Sequence, residues 1–364
     1  MLISILIFLI VLSVLVLVHE FGHFIVAKKS GIMVEEFGLG LPPRVLGKKI
    51  GDTIYSLNLL PFGGFVRLHG EQEEGSITDP KKAFLNKGKL TRTLVVTAGV
   101  VMNFILAIVA FTIFYSSTGI PRDTHQIKVV DIIPGSPAVA AGFKVGDVIT
   151  SVNGRTFTNL NDFISYVDTQ EGKKMEVQTQ NRKLEVTPRA NPPKDEGPLG
   201  VVITTTEIYF PPIWQRPFYG IYYGFKDAIF WGETILTGLW GIITELSVGK
   251  VPQGVSGPVG IFAVTTEAAH YGILTLVNFV GILSVNLAIL NILPFPALDG
   301  GRLLFIVIEA VTRRRVSPKV EAAIHTAGMV ILLTLILIIT IGDVRRLVMV
   351  KGNITGFINS MTNQ

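Results

Sequence analysis

The chain has no cysteine and few charged residues. Without cysteine, a disulfide-stapled scaffold, a thiolate metal site and a cysteine nucleophile are all excluded. Charged residues are only 16% of the 364 residues, whereas a typical soluble domain has about 25%. The net charge of +5 is spread along the chain, so no nucleic-acid partner is predicted. Hydrophobic residues make up 49% of the chain, which excludes intrinsic disorder. They stand in long runs, and these predict a protein embedded in a lipid bilayer.

Four apolar runs predict membrane-spanning helices. The first, Leu2–Val18, has only two serines as polar interruptions and continues as far as Ala27; about 20 such residues cross the hydrocarbon core. A cleaved signal peptide is the alternative, but this run has no basic leader and no small-residue cleavage site. The predicted segments are a first span at 1–26, a second at 94–115, a third at 273–301, a fourth at 325–342, and a C-terminal tail at 343–364.

The segment 206–250 is rich in aromatic residues and contains all three tryptophans. Tryptophan and tyrosine favour the membrane interface. Charged residues interrupt the apolar positions, and each would cost about 2.5 kcal/mol or more in lipid. The pattern therefore predicts amphipathic interfacial helices, one or two, lying on the bilayer or against the helix bundle. A fifth span is the competing interpretation.

The distribution of Lys and Arg predicts the orientation. There are eleven in residues 27–93 and five in residues 302–326, but only thirteen in the 157 residues of 116–272. The positive-inside rule assigns the first two segments to the cytoplasm. The N-terminus, the long segment and the C-terminus are then extracytoplasmic, which agrees with four spans of a multi-pass membrane protein.

The first span ends in the motif His19-Glu20-Phe21-Gly22-His23, which is H-E-x-x-H. Histidines at i and i+4 share one face of a helix, so both rings can reach one ion. Glu20 stands where it could take a proton from water on that ion. Zinc suits nitrogen and oxygen donors and lowers the pKa of its water towards about 7. Ionisable residues inside an apolar helix are costly and usually functional.

A third ligand is needed, because catalytic zinc usually has three protein ligands. The best candidate is Asp299, which follows Pro294 and Pro296 at the end of the third span and precedes two glycines that permit a sharp turn. The alternative is an aspartate that caps the next helix. Spans one and three run in the same direction, so His23 and Asp299 are both expected near the cytoplasmic face. The other histidines, including His69 and His325, are predicted to be surface or interface residues.

These motifs together resemble the bacterial site-2 protease family, and within it the RseP-type intramembrane zinc metalloproteases. The likeness runs almost end to end. It is carried by H-E-x-x-H, by N-x-x-P-x-P-x-L-D-G at Asn291–Gly300, by Pro61–Val66, and by Ser284–Leu287. It departs at Val100, where the family often has proline after the glycine, and in having one PDZ-like segment where well-known members have two.

The resemblance implies the roles of individual residues. His19, His23 and Asp299 would bind one Zn²⁺, and Glu20 would be the general base. Substrate contacts would come from the residues Asn286, Asn291, Pro294, Pro296, Gly63 and Gly64. The family cuts the membrane-spanning segment of trimmed single-span proteins, such as anti-sigma factors or remnant signal peptides.

The loop 27–93 contains a predicted β-hairpin. Thr53–Leu59 alternates, with Tyr55, Leu57 and Leu59 on one face, and a turn at 61–64 leads into Phe65–Leu68. This resembles the family's membrane-associated hairpin beside the active site, where an edge strand could accept an unwound substrate. An ordinary cytoplasmic hairpin is the alternative.

Residues 120–205 are predicted to form an extracytoplasmic, β-rich α+β domain inserted between the spans. Its strands, short helix and tight turns resemble the circularly permuted PDZ domain of bacterial proteases. PDZ domains bind extended peptides at a sheet edge, so a peptide ligand is one expected partner. A role as a size gate for substrates is a further expectation, and a spacer without a ligand is the alternative.

The fold class predicted is thus a polytopic α-helical membrane protein with four transmembrane helices, a membrane-associated β-hairpin region and one inserted PDZ domain. The predicted activity is that of a membrane-embedded zinc endopeptidase. Two other classes are weighed against it. A metal-carrying transporter should contain inverted repeats, and none is evident in the sequence. A non-catalytic PDZ scaffold would have no need of Glu20 beside a metal.

Overall fold

The computed structural model describes residues 2–71, 77–193, 196–249, 256–350 and 356–358. Four of its helices are long and apolar enough to cross a membrane: α1 (Leu2–Lys29), α2 (Lys89–Thr118), α7 (Ile273–Ile292) and α9 (Pro318–Met349). They coincide with the four predicted spans, although α2 and α9 are longer than predicted at both ends and α7 ends before residue 301. The chain divides into two compact units, one of residues 1–117 with 217–364 and one of residues 118–216.

Helices α1 and α2 pack closely. Gly22 of α1 stands against the backbone carbonyl of Ala98 in α2, and a Cβ at position 22 would collide with that carbonyl. Further along, Ser284 of α7 donates a hydrogen bond to the backbone carbonyl of Asn103 in α2 at 2.8 Å. Helix α2 is therefore in contact with both helices that lead to the predicted metal ligands.

A two-stranded antiparallel ribbon, β1 (Val34–Ile50) and β2 (Thr53–Leu68), follows α1. Both strands fold back on themselves, because Phe37 pairs with Tyr55 on one side and with Val66 on the other. The resulting order of segments is 44–50, 53–58, 34–39 and 64–68. The predicted pairing of 53–59 with 65–68 is wrong, since residues 34–39 lie between them and the tight turn is at Gly51–Asp52. The alternation of residues along a strand shows which side chains share a face, but it does not show which segment pairs with that strand.

The faces of the ribbon agree with the prediction. Tyr55, Leu57 and Leu59 are 36%, 46% and 60% exposed, whereas the intervening Ser56 and Asn58 are buried. The segment 64–68 is an edge of this sheet among the described residues, because it pairs only with 34–39. A short 3-10 turn at Phe84–Asn86 then leads into α2.

The aromatic segment forms a single helix, α5 (Arg216–Ser247), rather than two. Its buried face is a row of small residues four apart, Gly220, Gly224, Ala228 and Gly232, and such a row allows close helix packing. Gly220 and Gly224 lie against Thr112 of α2, and Ala228 is buried with Val285 of α7. Helix α5 thus packs against the bundle, and it is not one of the four helices that meet the length and hydropathy of a span.

Helices α6 (Pro258–Tyr271), α7 and α8 (Asp299–Thr312) lie between α5 and α9 in the described part of the chain, and α6 was not predicted. Helix α6 begins with proline after Gly257, and the backbone N–H groups of Gly257 and Gly260 donate to the buried Asp343 of α9 at 2.9 and 3.0 Å. Helix α7 ends at Ile292 where the two prolines were expected to end it. A new helix, α8 (Asp299–Thr312), starts at Asp299, so the predicted third segment 273–301 is two helices joined by a turn.

The second unit is built on a five-stranded antiparallel sheet with the order β6-β5-β4-β3-β7. Its core includes Val129, Val152 and Val177, each fully buried. The elements are β3 (Ile120–Ile132), α3 (Pro137–Ala141), β4 (Val148–Val152), α4 (Leu160–Thr169), β5 (Met175–Thr179), β6 (Lys183–Val186) and β7 (Val201–Tyr209). A separate β-rich α+β unit at 120–205 was expected, although β7 continues four residues past that boundary.

Candidate metal centre

Helix α1 presents both histidines of the H-E-x-x-H motif on one face. His19 and His23 are each 8% exposed, and their Nε2 atoms are 3.2 Å apart. This follows from helical periodicity, which brings side chains at i and i+4 together. The two donors are therefore aimed at one point.

The turn between α7 and α8 brings Asp299 to the same point. Asp299 Oδ2 lies 3.0 Å from His19 Nε2 and 3.2 Å from His23 Nε2. The turn folds tightly over itself, because a Cβ at Gly301 would be 2.6 Å from the carbonyl oxygen of Phe295. The N-cap of α8 is Leu298, so Asp299 is not the capping residue that the alternative required.

The three donor atoms fit a zinc ion. Donors held at about 2.0–2.1 Å by a tetrahedral ion are roughly 3.3 Å apart, close to the 3.0–3.2 Å found here. The donor set is two imidazole nitrogens and one carboxylate oxygen, which is a set that zinc accepts.

The hydrogen bonds around the site also favour a cation. His23 Nδ1 is 2.7 Å from the backbone carbonyl of Val95; a carbonyl can only accept, so Nδ1 carries a hydrogen, and in the neutral ring Nε2 presents a lone pair. Asp299 Oδ2 is buried and receives no hydrogen bond from the described residues. With the ring neutral, His23 Nε2 and Asp299 Oδ2 are two acceptors that face each other 3.2 Å apart, and a cation between them would satisfy both.

Helix α2 forms the wall behind the two histidines, a role not assigned from the sequence. Three residues four apart face them, Val95, Gly99 and Asn103. A Cβ at Gly99 would be 2.5 Å from His23 Nε2 and 2.6 Å from His19 Cε1. The fully buried Asn103 has its side-chain amide 3.4 Å from His19 Nδ1. The signal that could have revealed this face is the four-residue spacing of a glycine and an asparagine inside an apolar helix.

A cavity of about 540 Å³ opens beside the donors. Glu20, His23 and Asp299 line one side of it, and Phe65, Val66 and Leu68 of the edge segment line another. Gly64 stands at the start of that edge; a Cβ there would be 3.9 Å from Glu20 Cγ. The cavity therefore joins the glutamate of the motif to an open strand edge.

An ion pair connects the same edge to α8. Glu71 accepts a hydrogen bond from the backbone N–H of Leu68 at 3.4 Å and pairs with Arg302, one helical turn after Asp299. The charge of Glu71 raises the pKa of the Arg302 guanidinium, so Arg302 stays cationic. Both side chains line the cavity, and neither was singled out from the sequence.

The predicted substrate residues other than Gly63 and Gly64 lie on α7 and in the turn that follows it. Asn286 and Asn291 lie on α7, and Pro294 and Pro296 lie in the turn before Asp299. None of the four lines the described part of the cavity beside Glu20. Their role in binding substrate stays a prediction, as does that of Gly63 and Gly64.

His69 and His325 were predicted to be surface or interface residues; His69 is buried and His325 lines the cavity. His69 is 1% exposed, and its Nδ1 is 2.7 Å from Glu35 Oε1. His325 of α9 lines the cavity. Neither of them is part of the three-residue donor cluster.

The chain is similar to known metalloproteases over nearly its whole length. Residues 7–335 match the model of peptidase family M50. A Clostridium perfringens protein classed as a zinc metalloprotease is 35% identical, with 92% of this chain and 97% of that protein aligned. The zinc metalloprotease RasP of Geobacillus kaustophilus is 29% identical, with 94% and 98% aligned. The regulator of sigma-W protease RasP of Bacillus subtilis is 28% identical, with 93% and 98% aligned.

Proposed function

This chain belongs to peptidase family M50, the site-2 proteases, and is a zinc metalloprotease; on that premise we propose that it cuts its substrates inside their membrane-spanning segments. The observation that carries the proposal is the position of the donor cluster. His19 and His23 lie within α1, a helix long and apolar enough to span a membrane, and the Glu20 cavity opens beside them.

The proposed roles are those of the three donors and one base. His19, His23 and Asp299 would hold the zinc, with His23 oriented through its hydrogen bond to Val95. Bound zinc supplies Lewis acidity, which makes water nucleophilic near neutral pH and polarises a carbonyl. The carboxylate of Glu20, on the cavity wall beside His23 and Asp299, accepts the proton that the attacking water gives up. It then passes this proton to the leaving amine.

The substrate would bind in an extended form along the edge segment 64–68. A membrane helix hides its peptide groups in internal hydrogen bonds, and unwinding it in lipid leaves each group unsatisfied at a cost of several kcal/mol. An open strand edge offers replacement partners. Among the residues that the structure describes, this edge pairs on one side only, with residues 34–39, and Phe65 and Val66 line the cavity that contains Glu20. Gly63 and Gly64 would then contact the substrate. Contact by Asn286, Asn291, Pro294 and Pro296 is proposed from the family resemblance, because they do not line the described part of this cavity.

The proposed partners are single-span membrane proteins that have already been trimmed. The name of the Bacillus subtilis relative links that protein to sigma-W, so anti-sigma factors are one class of substrate we propose here, with remnant signal peptides as another. The five-stranded second unit would act as a PDZ domain with a peptide ligand. The protein would lie in the inner (plasma) membrane of a bacterium, with both termini and the second unit outside and the zinc towards the cytoplasm.

The test is cleavage by the purified full-length chain in liposomes. A single-span substrate with a label at each end is incubated with the enzyme, and the product masses locate the cut. We expect cutting within the membrane segment, its loss on chelation, and its return with added zinc. The Glu20→Gln variant is the control for a contaminating protease. Cleavage that persists in the presence of the chelator, or cuts confined to the soluble ends, would refute the proposal.

A further inference from the structure

Helix α9 contacts the turn before Asp299 with two residues on one face. His325 Nδ1 accepts a hydrogen bond from the backbone N–H of Ala297 at 3.0 Å. Gly328 is three residues further on and hence on the same face. It lies against Pro296, and a Cβ at position 328 would be only 2.7 Å from the carbonyl oxygen of Pro296. Both contacts are made to the segment Pro296–Ala297, which ends two residues before Asp299.

Ala297 is in a conformation that needs such support. Its φ is 81°, in the left-handed region that residues other than glycine rarely enter. Such a conformation persists only when its surroundings determine it. The hydrogen bond to His325 satisfies the one backbone donor of Ala297 and ties that residue to a long helix.

The hydrogen bond also defines the state of the His325 ring. A backbone N–H can only donate, so His325 Nδ1 must present a lone pair and the ring hydrogen is on Nε2. A group without an acceptor at this position would leave the Ala297 N–H without its partner. The side chain at position 325 must therefore supply a hydrogen-bond acceptor, which packing at an interface alone would not require.

We propose that His325 is a positioning residue for Asp299, acting through the Pro296–Ala297 turn. The inference rests on the proposed function in that Asp299 is taken as a zinc ligand. Ligand distances in metal sites are held within about 0.2 Å, and Asp299 Oδ2 is 3.0 and 3.2 Å from the two histidine nitrogens. A turn that relaxed by more than this tolerance would move the carboxylate out of range.

The test is zinc affinity, measured without substrate on the full-length chain in detergent by competition with a chromophoric chelator. In His325→Asn, Oδ1 takes the place of Nδ1 and keeps the acceptor; His325→Leu keeps approximate size but has no acceptor. Leu335→Ala, at an exposed position of the same helix, is the matched control. We expect zinc affinity at least tenfold weaker in His325→Leu, within threefold of wild type in His325→Asn, and unchanged in Leu335→Ala.

A second readout is the visible absorption of the Co²⁺-substituted protein, which reports coordination number. The tetrahedral spectrum should be kept in His325→Asn and weakened in His325→Leu.

Equal zinc affinity in His325→Leu and wild type would overturn the proposal while leaving the protease assignment intact. Equal losses in both His325 variants would also overturn it, because the acceptor would not be what matters. If His325→Leu fails to fold, Gly328→Ala displaces the same turn through Pro296; unchanged zinc affinity there would overturn the proposal, because the turn would not set the position of Asp299. A wild-type chain that binds no zinc would instead overturn the proposed function.

Discussion

Gly99→Ala should damage the metal centre from the neighbouring helix. The added Cβ would lie 2.5 Å from His23 Nε2, 2.6 Å from His19 Cε1 and 2.8 Å from His19 Nδ1. Carbon contacts are relaxed at about 3.5 Å, so the rings or α2 must retreat by roughly 1 Å. Metal donors tolerate displacements of about 0.2 Å. We therefore expect zinc affinity to fall by at least 10- to 100-fold, which is about 1.4–2.7 kcal/mol.

This loss should be separable from an effect on folding. Alanine favours a helix over glycine by about 1 kcal/mol, so helix propensity would not lower the thermal stability of the zinc-free protein. The control is Gly241→Ala in α5, where a Cβ would meet no atom within 4 Å; it should bind zinc like wild type. Zinc affinity is measured by chelator competition, and activity is measured with a labelled single-span substrate. Wild-type zinc affinity in Gly99→Ala would refute the claim that α2 orients the histidines.

Three further predictions concern the chemistry and the second unit. Glu20→Gln should keep zinc, because Glu20 is not a ligand, and should lose cleavage by several orders of magnitude; near-normal turnover would remove Glu20 from the mechanism. Asp299→Asn should lose zinc and activity together, because a neutral amide is a poor ligand; full zinc content by metal analysis would contradict this. Deletion of residues 123–204 joins strand ends that lie side by side, since Arg122 pairs with Glu207. The variant should cut both trimmed and untrimmed forms of one substrate, and unchanged discrimination would exclude a gating role.

Local features of the chain were predictable because they depend on near neighbours. Helical periodicity is enough to bring His19 and His23 together. The proline pair and the glycines around Asp299 predict where α7 ends and where the chain turns. The length of the apolar runs predicts α1, α2, α7 and α9 because a bilayer has a fixed thickness.

The incorrect predictions concern segments that could pair or pack with more than one partner. The alternation of Thr53–Leu59 correctly predicts its exposed face, but it does not reveal that residues 34–39 pair with it in place of 65–68. Helix α5 agrees in part with its prediction: its charges predicted one or two amphipathic helices lying on the bilayer or against the bundle, and a single helix packs against the bundle. Its buried row of small residues, which packs on α2 and α7, is a matter of fit between helices rather than of hydropathy. Helix α6 escaped prediction because it is short and its apolar residues run almost directly into α7.

The sequence by itself determined the chemistry available to this protein. It excluded thiolate sites and supplied an H-E-x-x-H motif in an apolar helix, together with an aspartate after a proline-rich turn. Only the tertiary structure decided that these donors are 3.0–3.2 Å apart. It also decided that Gly99 and Asn103 of α2 form the wall behind the histidines, and that His325 holds the turn before Asp299. The physical reason is that a motif specifies donor types along a chain, whereas their separation depends on packing between helices that are distant in sequence.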